Sequence, residues 1–235
     1  MTDTIDVELA LVIISGLAWT IVYLNAIWIG LRQKTYAMPI IALGLNFAWE
    51  STYAPFDLTT VPPGQGVINE ISAQGAISVV WALADVVIVY TFFKFGRNEF
   101  PPFLTKKLFV SGAILIFASS YAVQWLFIGQ FGLADASRYS AFLQNLLMSA
   151  LFIAMFVARQ GIRGQTLTIA IAKWIGTLAA TFLYGPIEGS PFILGLGIMC
   201  SVLDLVYIGL VIWATRRSSG PTDSGEARSV ARVNA

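Results

Sequence analysis

The chain has 235 residues, of which 57% are hydrophobic and 11% charged. A water-soluble domain carries about 25% charged residues and cannot hide this much apolar side chain, so a soluble globular fold is excluded. The formal net charge of +1 gives no sign of a nucleic-acid partner.

Seven apolar runs are long enough to cross a bilayer: Val7 to Leu31, Met38 to Pro55, Gly75 to Phe95, Leu108 to Phe131, Tyr139 to Gln160, Gln165 to Tyr184 and Phe192 to Thr215. Each is near the ~20 residues that span ~30 Å of hydrocarbon. Backbone groups in lipid must bond within their own segment, so the runs read as helices. The predicted fold is an all-α bundle of seven transmembrane helices in one domain, residues 1–217. The small polar tail, 218–235, reads as disordered. The acidic segment Met1 to Glu8 lacks a basic n-region, so a cleaved signal peptide is not expected. The long connection from Phe56 to Gln74, with Pro62, Pro63, Gly64 and Gly66, reads as a surface loop, with a lid as the alternative.

Basic residues orient the bundle. Arg32, Lys34, Lys94, Arg97, Lys106, Lys107, Arg159, Arg163, Arg216, Arg217, Arg228 and Arg232 fall on one side, and Arg138 alone on the other. The positive-inside rule then places the N-terminus outside the cytosol and the C-terminus within it. Whether the membrane is a bacterial cytoplasmic membrane or the endoplasmic reticulum stays open.

Four ionisable residues lie deep in these spans: Glu50, Asp85, Lys173 and Asp204. Charges at such depth are costly and are read as functional by default. At a rise of about 1.5 Å per residue, Glu50, Asp85 and Asp204 stand ~15–18 Å from an end of their helices, near one middle level. Lys173 is shallower, ~12 Å in, and reads as a structural lysine snorkelling to the cytosolic surface, with an ion pair as the alternative. Asn46, Trp49, Glu50 and Tyr53 share one face of the second helix, Trp81 and Asp85 one of the third, and Asp204 and Tyr207 one of the seventh. The fourth helix adds Tyr121, Gln124 and Trp125, and the fifth Gln144 and Asn145. Trp19, Trp28 and Trp213 read as interfacial belt or packing residues. The inward set describes a dry, aromatic-lined hollow with acids turned toward it. Aromatic faces stabilise cations, and loss of water favours the proton-carrying form of a carboxyl, the form that can act as an acid.

The motif Asn46-Phe47-Ala48-Trp49-Glu50 in the second helix, with Asp204 in Ser201-Val202-Leu203-Asp204-Leu205-Val206-Tyr207 of the last, resembles the small membrane-bound terpene cyclases of meroterpenoid and indole-terpenoid pathways. The resemblance covers nearly the whole chain. It implies that Glu50 and Asp204 are the essential acids. It also implies a proton-initiated cyclisation of a prenyl chain, often carrying a terminal epoxide, on an aromatic or peptide-like head group. A prenyltransferase and an epoxidase would act upstream. The candidate substrate-binding set is Asn46, Trp49, Tyr53, Trp81, Asp85, Trp125 and Tyr207. Asp85 reads as a terminating base or relay. Neither the Asp-x-Asp-Asp motif of soluble protonating cyclases nor an Asp-rich metal motif is present, so no metal, no other cofactor and no loss of diphosphate are expected. The competing reading is a small-molecule or proton-coupled membrane transporter. A retinal protein is disfavoured, because the last helix has no lysine. Without histidine, Ser–His and Cys–His catalytic units are excluded, and the single Cys200 excludes an intrachain disulfide.

Overall fold

The computed structural model describes residues 2–59, 67–68 and 71–218. The polar tail beyond Ser218 and residues 60–66 and 69–70 of the Phe56 to Gln74 connection lie outside the described residues. The part of that connection up to Thr59 is helical, and Val67–Ile68 pairs antiparallel with Ile71–Ser72.

Among the described residues there are six α-helices: α1 (Thr2–Gln33), α2 (Ile40–Thr59), α3 (Ala73–Phe95), α4 (Lys106–Arg159), α5 (Leu167–Phe182) and α6 (Pro191–Ser218). The expectation of seven separate helices is corrected by α4, which takes in both the predicted fourth and fifth. Of the stretch read as their connection, 132–138, the part after Gly132 is helical, because Leu133 to Arg138 contains no breaker. α4 has 54 residues, ~81 Å if straight, against ~30 Å of hydrocarbon. It is not straight. At Gly132 the backbone leaves the helical region, with φ 73° and ψ 168°, and the chain doubles back. Gln124 and Gln144, ~30 Å apart on a straight helix, are hydrogen-bonded at 3.3 Å. The rings of Phe131 and Tyr139 meet edge-on at 5.4 Å.

Gly132 sits where only glycine is at ease, and a side chain there costs about 1–3 kcal/mol. A Cβ would meet no other atom at this position, so the backbone alone sets the cost. Gly132→Ala is expected to lower the unfolding free energy of the detergent-solubilised protein by that amount. Gly129→Ala, on the same arm with equal space and an ordinary helical backbone, is expected to be neutral or slightly stabilising.

The helices close into a ring: α1 packs between α3 and α5, α2 between α3 and α4, and α6 between α4 and α5. Small residues let backbones approach, as in other membrane bundles. A Cβ on Gly176 of α5 would stand 2.8 Å from the Trp19 ring of α1, and one on Gly44 of α2 would stand 2.9 Å from the Ser120 hydroxyl of α4.

One end of the ring is tied by Arg159, whose guanidinium lies 4.2 Å above the Tyr36 ring. It donates to the Tyr36 carbonyl at 3.0 Å and to Thr35 Oγ1 at 3.2 Å. Glu99 accepts from Arg163 and Thr35 at 2.8 and 2.9 Å, joining three connections.

The outer faces are apolar. Leu17, Leu24, Leu83, Leu115, Leu126, Val157 and Val202 all project outward, as a lipid-facing surface requires. Among the described residues five helical segments are long and apolar enough to cross a membrane by length and composition. α2 is not among them; its sequence includes the polar Asn46, Glu50 and Asp57. Trp28 and Trp213 are half-exposed beneath Arg32 and Arg217, at 4.8 and 4.2 Å, in keeping with a belt position. Trp19 packs inward against Gly176.

Candidate functional site

Two polar networks occupy the interior of the ring. The first joins α1, α2 and α3. Asn46 and Glu50 are one turn apart on the buried face of α2 and meet Tyr23 of α1 and Asp85 of α3. The Asn46 amide uses both of its N–H bonds, donating to the Tyr23 hydroxyl oxygen at 2.6 Å and to Asp85 Oδ2 at 2.8 Å. Tyr23 in turn donates to Glu50 Oε1 at 3.2 Å. Trp81 covers the group: its ring stacks on Tyr23 at 5.8 Å and its Nε1 donates to Thr20 at 3.1 Å. Among the described residues no lysine or arginine pairs with Glu50 or Asp85.

The second network joins α4, α5 and α6. Lys173 Nζ donates to both oxygens of Asp204, at 2.9 and 3.0 Å, and to Ser149 Oγ at 2.7 Å. Lys173 and Asp204 are both wholly buried. The snorkelling expected for Lys173 is therefore corrected. With all three N–H bonds taken by buried acceptors, the ammonium gains nothing by stretching to the surface. Asp204 and Glu50 do not bond to each other; each belongs to its own network.

The arm of α4 after Gly132 links the two halves. Ser140, Gln144, Asn145, Met148, Ser149 and Phe152 form one buried stripe along it. Trp49 of α2 donates to the Ser137 carbonyl at 2.9 Å, Gln144 bonds Gln124 of the preceding arm, and Asn145 donates to Thr177 of α5 at 2.7 Å. Tyr53 is buried and lies 5.2 Å from Trp49, ring to ring, and Tyr207 lies 5.3 Å from Phe152.

Several buried oxygens lack a partner among the described residues: Glu50 Oε2, Asp85 Oδ1, Asn145 Oδ1, Gln124 Oε1 and the hydroxyl of Tyr207. Leaving such groups unpaired is costly. On the neighbouring face of α2 an apolar groove of about 400 Å³ runs between α2, α3 and the first arm of α4. Phe47, Phe93, Phe117 and Tyr121 line it, and the Tyr121 hydroxyl meets Ser51 at its edge, 2.7 Å away.

Of the predicted site residues, Glu50, Asn46, Tyr53, Trp81, Asp85, Asp204 and Tyr207 are buried in the interior, and Trp49 is half-buried beside them. Trp125 is not: it is 59% exposed on the outer surface. Gln124 takes the inward position on that turn, and a step of about 100° along the helix turns Trp125 to the lipid. Three residues escaped the sequence reading: Tyr23, Ser149 and Thr177. Tyr23 had a usable signal, since a phenol in the middle of an apolar span needs a partner. Among the described residues no cluster of three or more His, Cys, Asp or Glu side chains forms a candidate metal site.

The fold and its interior thus define an integral membrane protein with acids and aromatic rings enclosed by a helical ring. Residues 3–218 match the description of the Pyr4-like transmembrane terpene cyclases, and the chain belongs to that family. It is an enzyme of the cyclase class. Similar curated proteins include the Pyr4-family terpene cyclase mfmH of Annulohypoxylon moriforme, 28% identical over 86% of this chain and 84% of its own. Terpene cyclase pyr4 of Aspergillus fumigatus is 28% identical over the same shares. Terpene cyclase nodB of Hypoxylon pulicicidum is 25% identical over 92% of this chain and 88% of its own. No solved structure matches the chain.

Proposed function

We propose that the enzyme cyclises a prenylated aromatic or indole-type substrate bearing a terminal epoxide, by proton transfer from Glu50 and through carbocation intermediates. The observation that carries this reading is the difference between the two acids. Glu50 is buried and accepts from the neutral Tyr23 hydroxyl, with Oε2 unpaired, whereas Asp204 is held by an ammonium through both oxygens. A carboxyl without a cation beside it, out of water, is suited to hold a proton and deliver it. A carboxylate bound to an ammonium is suited to face positive charge.

The proton of Glu50 passes to the epoxide oxygen. The C–O bond to the more substituted carbon breaks, and the neighbouring alkene supplies its π electrons to the cation. Ring closures follow until a C–H bond gives up its proton and its electrons form a final double bond. Asp204 receives that proton, so the product is an isomer of the substrate, and exchange with water after product release returns a proton to Glu50 and removes one from Asp204. Tyr23 and Asn46 hold Glu50 in register, and Asp85 fixes Asn46. Trp49, Tyr53, Trp81 and Tyr207 offer ring faces that stabilise the cation without capturing it, and the dry interior keeps water from quenching it. The prenyl tail enters from the bilayer. α4 crosses the membrane twice, giving seven crossings, with the N-terminus outside the cytosol and the basic end within it. A prenyltransferase and an epoxidase supply the substrate.

Membranes containing the protein, given a farnesylated phenol with a terminal epoxide, are expected to form a cyclic product of unchanged mass, at the same rate with or without EDTA. Mass spectrometry and NMR of the extract check this. Recovery of untouched substrate from folded enzyme would remove this substrate class, and loss of turnover on adding EDTA would show a metal requirement.

A further inference from the structure

We infer that Lys173 is a positioning residue for the cyclisation, fixing the Asp204 carboxylate inside the ring; this rests on the reading of Asp204 given above. A lysine in the hydrocarbon interior is costly to insert. A buried ion pair is also often matched or bettered in stability by apolar side chains of similar volume. Packing alone therefore gives α5 no reason to carry a wholly buried ammonium, and its surroundings are built to hold it still.

The three N–H bonds of Lys173 are divided between both oxygens of Asp204 and the hydroxyl of Ser149. Ser149 Oγ is itself anchored by donating to the Asn145 carbonyl at 3.0 Å. The Asn145 side chain donates to Thr177 Oγ1 at 2.7 Å, and Thr177 Oγ1 donates to the carbonyl of Lys173 at 2.9 Å. The bonds thus run from the ammonium through α4 and back to the backbone of the same lysine. Gripping both oxygens from one nitrogen stops the carboxylate from rotating. Each oxygen keeps a further lone pair for a proton or a cation. A fixed negative charge that needs no rearrangement as positive charge develops is what electrostatic stabilisation of a transition state requires. Lys173 contributes by holding Asp204 and does not itself meet the substrate.

The test uses full-length Ser149→Ala, Lys173→Met and Lys173→Met/Asp204→Asn in membranes. Turnover of the farnesylated phenol epoxide is normalised to folded enzyme, measured as the monodisperse fraction in detergent. Ser149→Ala keeps the ion pair and removes only its anchor. It is expected to lower kcat about 5-fold with KM unchanged, to lower the melting temperature slightly because one ammonium N–H loses its acceptor, and to raise the share of partly cyclised or water-captured products. Lys173→Met is expected to lower kcat about 100-fold, again without a change in KM. Parental kcat and product pattern in Ser149→Ala would overturn the proposal even if Lys173→Met fails to fold. Parental kcat in Lys173→Met with loss in the double variant would overturn the role of Lys173 and leave that of Asp204. Parental kcat in both would sink the reading of Asp204 as well.

Discussion

Glu50→Gln is expected to lower turnover by about 10²–10⁴-fold, the contribution of a positioned general acid, with little effect on KM. The substitution changes almost nothing else. Glutamine has the shape of glutamic acid, and its carbonyl oxygen can still accept the bond from Tyr23 that Glu50 Oε1 accepts at 3.2 Å. Fold and substrate binding should therefore survive, and only the transferable proton is lost. The companion change Asp85→Asn keeps the acceptor for Asn46 and is expected to cost far less, because Asp85 acts through Asn46 and Tyr23. Rates for the two variants with the farnesylated phenol epoxide, set against the parent, decide the point. A Glu50→Gln enzyme at parental rate would remove Glu50 from the acid role, and a larger loss in Asp85→Asn would transfer that role to Asp85.

The second large effect is on stability. Asp204→Asn removes the negative partner of a wholly buried ammonium. Breaking one side of such a pair costs about 3–5 kcal/mol, because the remaining charge stays buried without compensation. The single variant is expected to unfold in detergent at markedly lower temperature or denaturant concentration than the parent. Adding Lys173→Met removes the stranded charge, so the double variant should regain most of the loss while its turnover stays low. This separation of stability from activity is the informative part. If stability does not recover, the network around Ser149, Asn145 and Thr177 needs the ammonium for packing. If the single variant melts like the parent, the pair contributes nothing to the folded state.

Much of this protein was legible along the chain, and the physical reason is the bilayer. Every backbone group in hydrocarbon must find its partner within its own helix, so a membrane span is a local property that a run of apolar residues declares. Rare polar groups in such runs stand out for the same reason: Glu50, Asp85 and Asp204 were visible as buried acids because lipid tolerates so few. The motif around Asn46 and Glu50, together with the placing of Asp204, sufficed for the family.

What the chain could not declare was pairing across helices. Tyr23 and Glu50 are 27 residues apart, Asn46 and Asp85 39, and Lys173 and Asp204 31. No local period relates such positions. The interior role of Lys173 and the division of the acids into two networks came from the closing of the ring. Gly132 shows the same limit within one helix: its neighbours read as a loop between two spans, yet they are helical, and one glycine makes the reversal. Tyr121, Gln124 and Trp125 follow the i, i+3, i+4 spacing of one helix face, yet the packing of Gln124 turns Trp125 to the outer surface. Local rules of solvation determine which segments become helices in the membrane. The tertiary packing decides which acid meets a phenol and which meets an ammonium, since that depends on the rotation of each helix against partners far away in the chain.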